Sequence, residues 1–169
     1  MQKQNLNEIA VKPTYVLIDG LSIRFVESEQ RSADALLLSP WPESVLAYEP
    51  TWSRLAERTH VVAIDLPGFG RSEGRDDVMS PQAMGEFIVR VADAFGLAKP
   101  HVIAPDIGTS ATLFAASRHA ERFLSLVVGS GGAAFPLNLE GVLREWVFAP
   151  DLAASKSSSV SWQPSSATE

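Results

Sequence analysis

With 169 residues, 46% of them hydrophobic and 20% charged, the chain has the composition of one globular domain with a real core. Its net charge is −6 and its 14 Lys and Arg are scattered, so nothing draws a phosphate backbone and no nucleic-acid partner is expected. The lack of Cys removes disulfides, thiolate catalysis and Cys-based zinc sites. Residues 1–7 carry no apolar leader and no run approaches the ~20 apolar residues of a membrane span, so a soluble, cytoplasmic protein without membrane contact is expected.

Residues 1–13 are polar and are expected to be flexible. Tyr15-Val16-Leu17-Ile18 and the run from Leu21 to Val26 flank Asp19-Gly20, a pair suited to the positive φ of a tight turn, which predicts an antiparallel hairpin. After a polar connection, Ala35-Leu36-Leu37-Leu38 reads as a strand buried on both faces. It ends in Ser39-Pro40-Trp41-Pro42-Glu43-Ser44, where two prolines forbid regular structure. Trp52, Leu55 and Ala56 recur at helical spacing within 48–58, and His60-Val61-Val62-Ala63-Ile64-Asp65 is the next buried strand. Strands alternating with helices predict a parallel sheet. Gly68-x-Gly70 follows a strand as a dinucleotide fingerprint does, but Glu73-Gly74-Arg75-Asp76-Asp77 opens no helix there, which argues against that reading. Ser80-Pro81 is an N-cap followed by Pro at the first helical position. The helix it starts carries the stripe Phe87, Ile88, Val91, Ala94, Phe95, and Gly96 and Pro100 stop it.

The run from His101 to Ala111 is the stretch the rest can be placed around. A short apolar strand passes straight into a helix with Asp106 at the junction, and the residues two before and two after it, Ala104 and Gly108, are small. A reversal within one residue needs that, because a larger side chain would meet the neighbouring strand or helix. The first N–H groups of the helix are unpaired, so Ile107 and Gly108 offer donors to an anion beside the carboxylate. The plainer reading of Asp106 is a helix N-cap or turn former. Leu113, Phe114 and Ala116 suit a helix packed on the sheet and ending near His119, and residues 123–128 predict a further buried strand. Residues 129–136 form a Gly-rich exit. Val142, Leu143, Trp146 and Val147 lie on one side of a helical stretch at 139–148, and 151–169 is too rich in Ser to build a core.

The strand, turn and helix around Asp106 match a nucleophile elbow, small-x-nucleophile-x-small, with Asp in the place usually held by Ser. Together with Asp65-Leu66-Pro67-Gly68-Phe69-Gly70-Arg71-Ser72, this resembles the α/β-hydrolase superfamily, and an Asp at the elbow resembles its epoxide hydrolase and haloalkane dehalogenase branch. The resemblance covers residues 15–150. It implies an α/β fold: a mostly parallel sheet with an N-terminal antiparallel hairpin and helices on both faces, here an incomplete α/β-hydrolase fold apparently truncated after the sixth strand. The domain reading is then a flexible N-terminus at 1–13, the hydrolase core at 14–136, the start of a lid at 137–150 and a disordered tail at 151–169.

The resemblance also implies chemistry. Asp106 would be the nucleophile that forms an alkyl-enzyme ester, and the backbone N–H groups of Ile107 and Trp41 would form the oxyanion hole. Trp41, Pro42 and Phe135 would line a pocket for a small hydrophobic substrate, with no cofactor and no metal. Where the family has His-Gly-x-Pro, this chain has Ser39-Pro40-Trp41-Pro42 and keeps only the last proline. Dehalogenases place Trp directly after the nucleophile, and Ile107 stands there instead. Halide release is therefore disfavoured, and epoxide hydrolysis, or ester hydrolysis with an altered nucleophile, is left.

The triad of this fold also needs an acid and a His downstream of the nucleophile. His60 opens its strand, and His101, five strand residues before Asp106 at ~3.3 Å each, lies roughly 16 Å away. His119, ten helical residues on at ~1.5 Å each, lies about 15 Å away. The downstream acids Glu121, Glu140, Glu145, Asp151 and Glu169 follow no recognisable strand. An ester at Asp106 that is not cleaved is therefore expected, along with self-association through an uncovered last strand. The alternatives are a phosphoacceptor Asp, which lacks the acidic pair or Asp-x-Asp such sites need, and a non-catalytic hydrolase fragment or interaction module.

Overall fold

The computed structural model describes residues 11–132 together with Gly141 and Arg144. The chain divides into two compact units, Met1–Ala133 and Ala134–Glu169. All that follows concerns the first. The expected lid, Phe135 and the Ser-rich tail lie outside the described residues, apart from the two isolated positions.

The predicted hairpin is β1 (Thr14–Ile18) and β2 (Leu21–Glu27), antiparallel with Ile18 opposite Leu21. Asp19 and Gly20 both take positive φ, 51° and 80°, as a two-residue turn between right-twisted strands requires. β3 (Asp34–Leu38), β4 (His60–Ile64), β5 (His101–Pro105) and β6 (Ser125–Gly129) follow. The sheet order is β1-β2-β4-β3-β5-β6. β2 meets β4 antiparallel, and the β4-β3, β3-β5 and β5-β6 pairs are parallel. Three helices make the crossovers: α1 (Glu49–Ala56), α2 (Pro81–Ala94) and α3 (Ile107–Arg118). Ser80 caps α2 by accepting from the Ala83 N–H at 3.2 Å, as its sequence signature predicts.

The side-chain alternation of strands sorts the core onto two faces. Leu36, Leu38, Val62, Ile64, Val102 and Ala104 pack with Phe87, Ile88 and Val91 of α2 and with Ala111 and Ala115 of α3. Ala35, Leu37, Val61 and Ala63 pack on the other face against Trp52 of α1 and Val45. Leu36, Leu37, Leu38, Val61, Val62 and Ile64 are wholly buried, each contributing about 1.5–3 kcal/mol of burial free energy. Continuous apolar runs in β3 and β4 are thus the consequence of helices covering both faces of a parallel sheet. Among the described residues no helix is long and apolar enough to cross a membrane.

The expectation of a buried strand at residues 123–128 needs correction. The strand forms at Ser125–Gly129, and Val127 and Val128 are 59% and 39% exposed. Among the described residues β6 has one neighbour, β5, and an apolar sequence cannot distinguish a central strand from a flank.

α2 and α3 are also tied at the surface. The Glu86 carboxylate lies 3.0 Å from His119 Nε2 and accepts from Arg118 Nη1 at 3.2 Å. The hydrogen bond from His119, and then that from Arg118, hold the Glu86 carboxyl below the usual range. A folded-state value depressed below the unfolded one means the stabilisation is present above the ordinary Glu range and is lost as pH falls through the folded value. Followed from neutral pH into acid, the melting temperature of wild type should therefore converge on that of Glu86→Gln. A gap that stays constant would show the link to be silent.

Candidate active site

β5 delivers the chain to Asp106, and α3 begins at the next residue, Ile107. Asp106 has φ 53° and ψ −120°, a conformation L-residues rarely adopt and one that persists only where the surroundings enforce it. Small neighbours permit it. A Cβ on Gly108 would already lie 3.3 Å from the Cβ atoms of both Ala104 and Leu38. Asp106 occupies the N-cap position of α3 and forms its turn, yet its side chain makes no capping bond. Instead its Oδ2 accepts a 2.8 Å hydrogen bond from the Trp41 N–H, across 65 positions of sequence. As the first residue of α3, Ile107 has a backbone N–H with no carbonyl one turn earlier to receive it.

The loop carrying Trp41 is held from both ends. Before it, the Tyr48 hydroxyl donates to the Leu38 carbonyl at 2.6 Å. Burial, with Glu43 nearby, pushes that phenol well above its ordinary range and keeps it a donor. Beyond it, the Val45 N–H donates to Asp65 Oδ1 at 2.7 Å. Asp65 is wholly buried, and its Oδ2 accepts from the Arg71 N–H at 3.0 Å and faces Arg24 Nη1 at 3.5 Å. The segment Asp65 to Ser72 therefore braces the loop opposite Asp106. It opens no helix of the kind a dinucleotide site needs, and the next helical piece is a single 3₁₀ turn at Asp76–Val78.

Of the residues expected at the site, Trp41 and Asp106 are brought into contact and Ile107 adjoins them. Pro42 follows Trp41 in the same loop and is exposed. Phe135 lies outside the described residues. The histidines are all engaged elsewhere. His60, buried, has Nδ1 2.9 Å from Asp34 and Nε2 2.9 Å from Glu27. His101 is 2.7 Å from the Ser125 hydroxyl, and His119 faces Glu86. Sequence reasoning did not single out the roles of Asp65, Tyr48 or Thr109. Only the first carried a signal, as the head of the Asp-Leu-Pro-Gly-Phe-Gly-Arg-Ser motif.

Comparison with known proteins agrees with this geometry. A family model described as the alpha/beta hydrolase fold matches residues 36–161, extending past residue 150, where the resemblance read from sequence stopped. RutD of Caulobacter sp. (strain K31), assigned as a carbamate hydrolase, is 38% identical over 85 residues, 50% of this chain and 32% of that protein. The chain spans between 32% and 43% of the length of the Caulobacter relatives it matches. Among solved structures, Cfl2 of Burkholderia cenocepacia is similar at 26% identity with a TM-score of 0.70, over 85% of this chain and 53% of that one. The epoxide hydrolase CorEH shares the fold at 21% identity with a TM-score of 0.70, over 82% and 50% of the two chains. Strand order, elbow and family match coincide, and the chain belongs to the α/β-hydrolase fold family.

Proposed function

We propose that this chain is a hydrolase of the epoxide hydrolase kind, in which Asp106 attacks an electrophilic carbon of a small hydrophobic substrate. The observation that carries the reading is the hydrogen bond from the Trp41 N–H to Asp106 Oδ2 at a strained elbow. That donor holds one carboxylate oxygen and leaves the other to react. A bond forms between the free oxygen and an epoxide carbon, and the ring C–O bond breaks. Its electron pair leaves as an alkoxide that takes a proton from water. In the resulting ester the carbonyl oxygen is the one already facing the Trp41 N–H. Water attack there would build negative charge where Trp41 and Ile107 supply donors, each worth roughly 2.7–4 kcal/mol in such holes. The imidazoles of His60, His101 and His119 are each engaged away from Asp106, so none of these three is the base that activates the water.

A second reading is favoured by the 38% identity to a protein assigned as a carbamate hydrolase. There the electrophile is an acyl carbon, and Asp106 would attack it or deprotonate the water that does. One experiment separates the two: incubation with styrene oxide and, in parallel, with phenyl carbamate, followed by intact mass and peptide mapping. The epoxide reading expects one equivalent of adduct on the peptide holding Asp106. Phenol release without an epoxide adduct would replace it by the carbamate reading, and neither product would leave a non-catalytic interaction module.

A further inference from the structure

We infer that the Thr109 hydroxyl is a positioning residue for the carboxylate of Asp106, a deepening that rests on the nucleophile reading above. Thr109 lies in the first turn of α3 and is 4% exposed. Its Oγ1 is 2.9 Å from the Ala104 carbonyl in β5 and 3.0 Å from the Gly129 carbonyl at the end of β6, and it accepts from the Gly129 N–H at 3.1 Å. A hydroxyl has one proton, so it donates to one of the two carbonyls at a time while its lone pair holds the Gly129 N–H. A threonine inside a helix ordinarily turns its hydroxyl back to its own preceding turn. This one reaches out of its helix to two strands.

The end of β6 and Thr109 itself also fix Asp106. Its N–H donates to the Gly129 carbonyl at 2.8 Å, and its carbonyl accepts from the Thr109 N–H at 3.0 Å. Asp106 is thus enclosed in a ring of bonds whose corners are Ala104, Thr109 and Gly129, and the Thr109 side chain closes it. The segment beyond β6 lies directly against this ring. A Cβ on Gly131 would stand 2.3 Å from the Asp106 carbonyl oxygen and 2.4 Å from the Thr109 Cβ. A strained φ/ψ survives only when its surroundings determine it more than once. Loss of the hydroxyl lets the turn relax and swings the carboxylate away from the Trp41 N–H.

The test compares Thr109→Val, which keeps the volume and loses the hydroxyl, with Thr109→Ser, which keeps the hydroxyl and loses the methyl. Two readouts are taken: amide hydrogen exchange at Asp106 and Gly129, and the rate of covalent labelling by styrene oxide. In T109V both amides should exchange about tenfold faster, while Leu37 in β3 exchanges as in wild type. Labelling should slow by about ten- to a hundredfold, as small misplacements of reacting groups do. T109S should recover most of both. T109V indistinguishable from wild type, T109S behaving like T109V, or faster exchange spread over the whole sheet would each overturn the inference. If wild type itself takes no label, the nucleophile reading falls, and the exchange pattern alone then decides whether the ring exists.

Discussion

Replacing Asp106 by Asn is expected to abolish covalent labelling by epoxides, at least about a thousandfold, while leaving the fold intact, because loss of a nucleophile removes the reacting atom itself. The amide oxygen of Asn can still accept from the Trp41 N–H that holds Asp106 Oδ2 at 2.8 Å. Asn has nearly the shape of Asp, so a backbone that already holds Asp106 at φ 53° and ψ −120° accommodates it. What is lost is negative charge on an oxygen aimed at an electrophile. Asp106→Gly sharpens the test. Glycine adopts such a conformation without the strain that Asp106 bears, so this variant should be at least as stable as wild type in urea and wholly unreactive. Opposite signs for stability and reactivity are what a strained catalytic turn predicts. Asp106→Asn labelled at the wild-type rate would move the chemistry to another residue, and Asp106→Gly markedly less stable would make the turn a structural one.

The strands and helices were legible because each rests on side-chain periodicity or on a turn pair. Ala35 to Leu38 and Val61 to Ile64 are apolar throughout, and both are buried through every leucine, isoleucine and valine they contain. Asp19-Gly20 and Ser80-Pro81 name their turn and cap in two letters each. The exposure of Val127 and Val128 was not legible, because burial depends on what lies beside a strand and residue type reports only what could be buried there. The contact of Trp41 with Asp106 could be anticipated through the motif at each end. The Thr109 ring could not: its partners are the backbone atoms of Ala104 and Gly129, which every residue possesses. The same holds for Tyr48 on the Leu38 carbonyl. Positioning contacts made to the main chain leave no pattern in the side chains they hold.

Asp65→Ala is expected to give the largest loss of stability, about 3–5 kcal/mol, because it leaves a buried partner charge uncompensated. Arg24 is 7% exposed and its Nη1 faces Asp65 Oδ2. The Val45 and Arg71 N–H groups lose their acceptor at the same time. Such a loss is a large share of the ~5–15 kcal/mol that holds a domain folded, so the variant should unfold at much lower urea or accumulate insoluble. Gly70→Ala should act through the same point. Gly70 has φ 56°, and a Cβ there would stand 2.2 Å from Asp65 Oδ2, so the new methyl must displace the carboxylate. Because the Val45 N–H is bound to Asp65 and Trp41 lies four residues earlier, both variants should also slow labelling at Asp106 in whatever protein stays folded. Asp65→Asn, which keeps one acceptor oxygen and the shape, should fall between wild type and Ala on both measures. Wild-type stability in Asp65→Ala would mean that the loop bearing Trp41 does not depend on Asp65 for its hold.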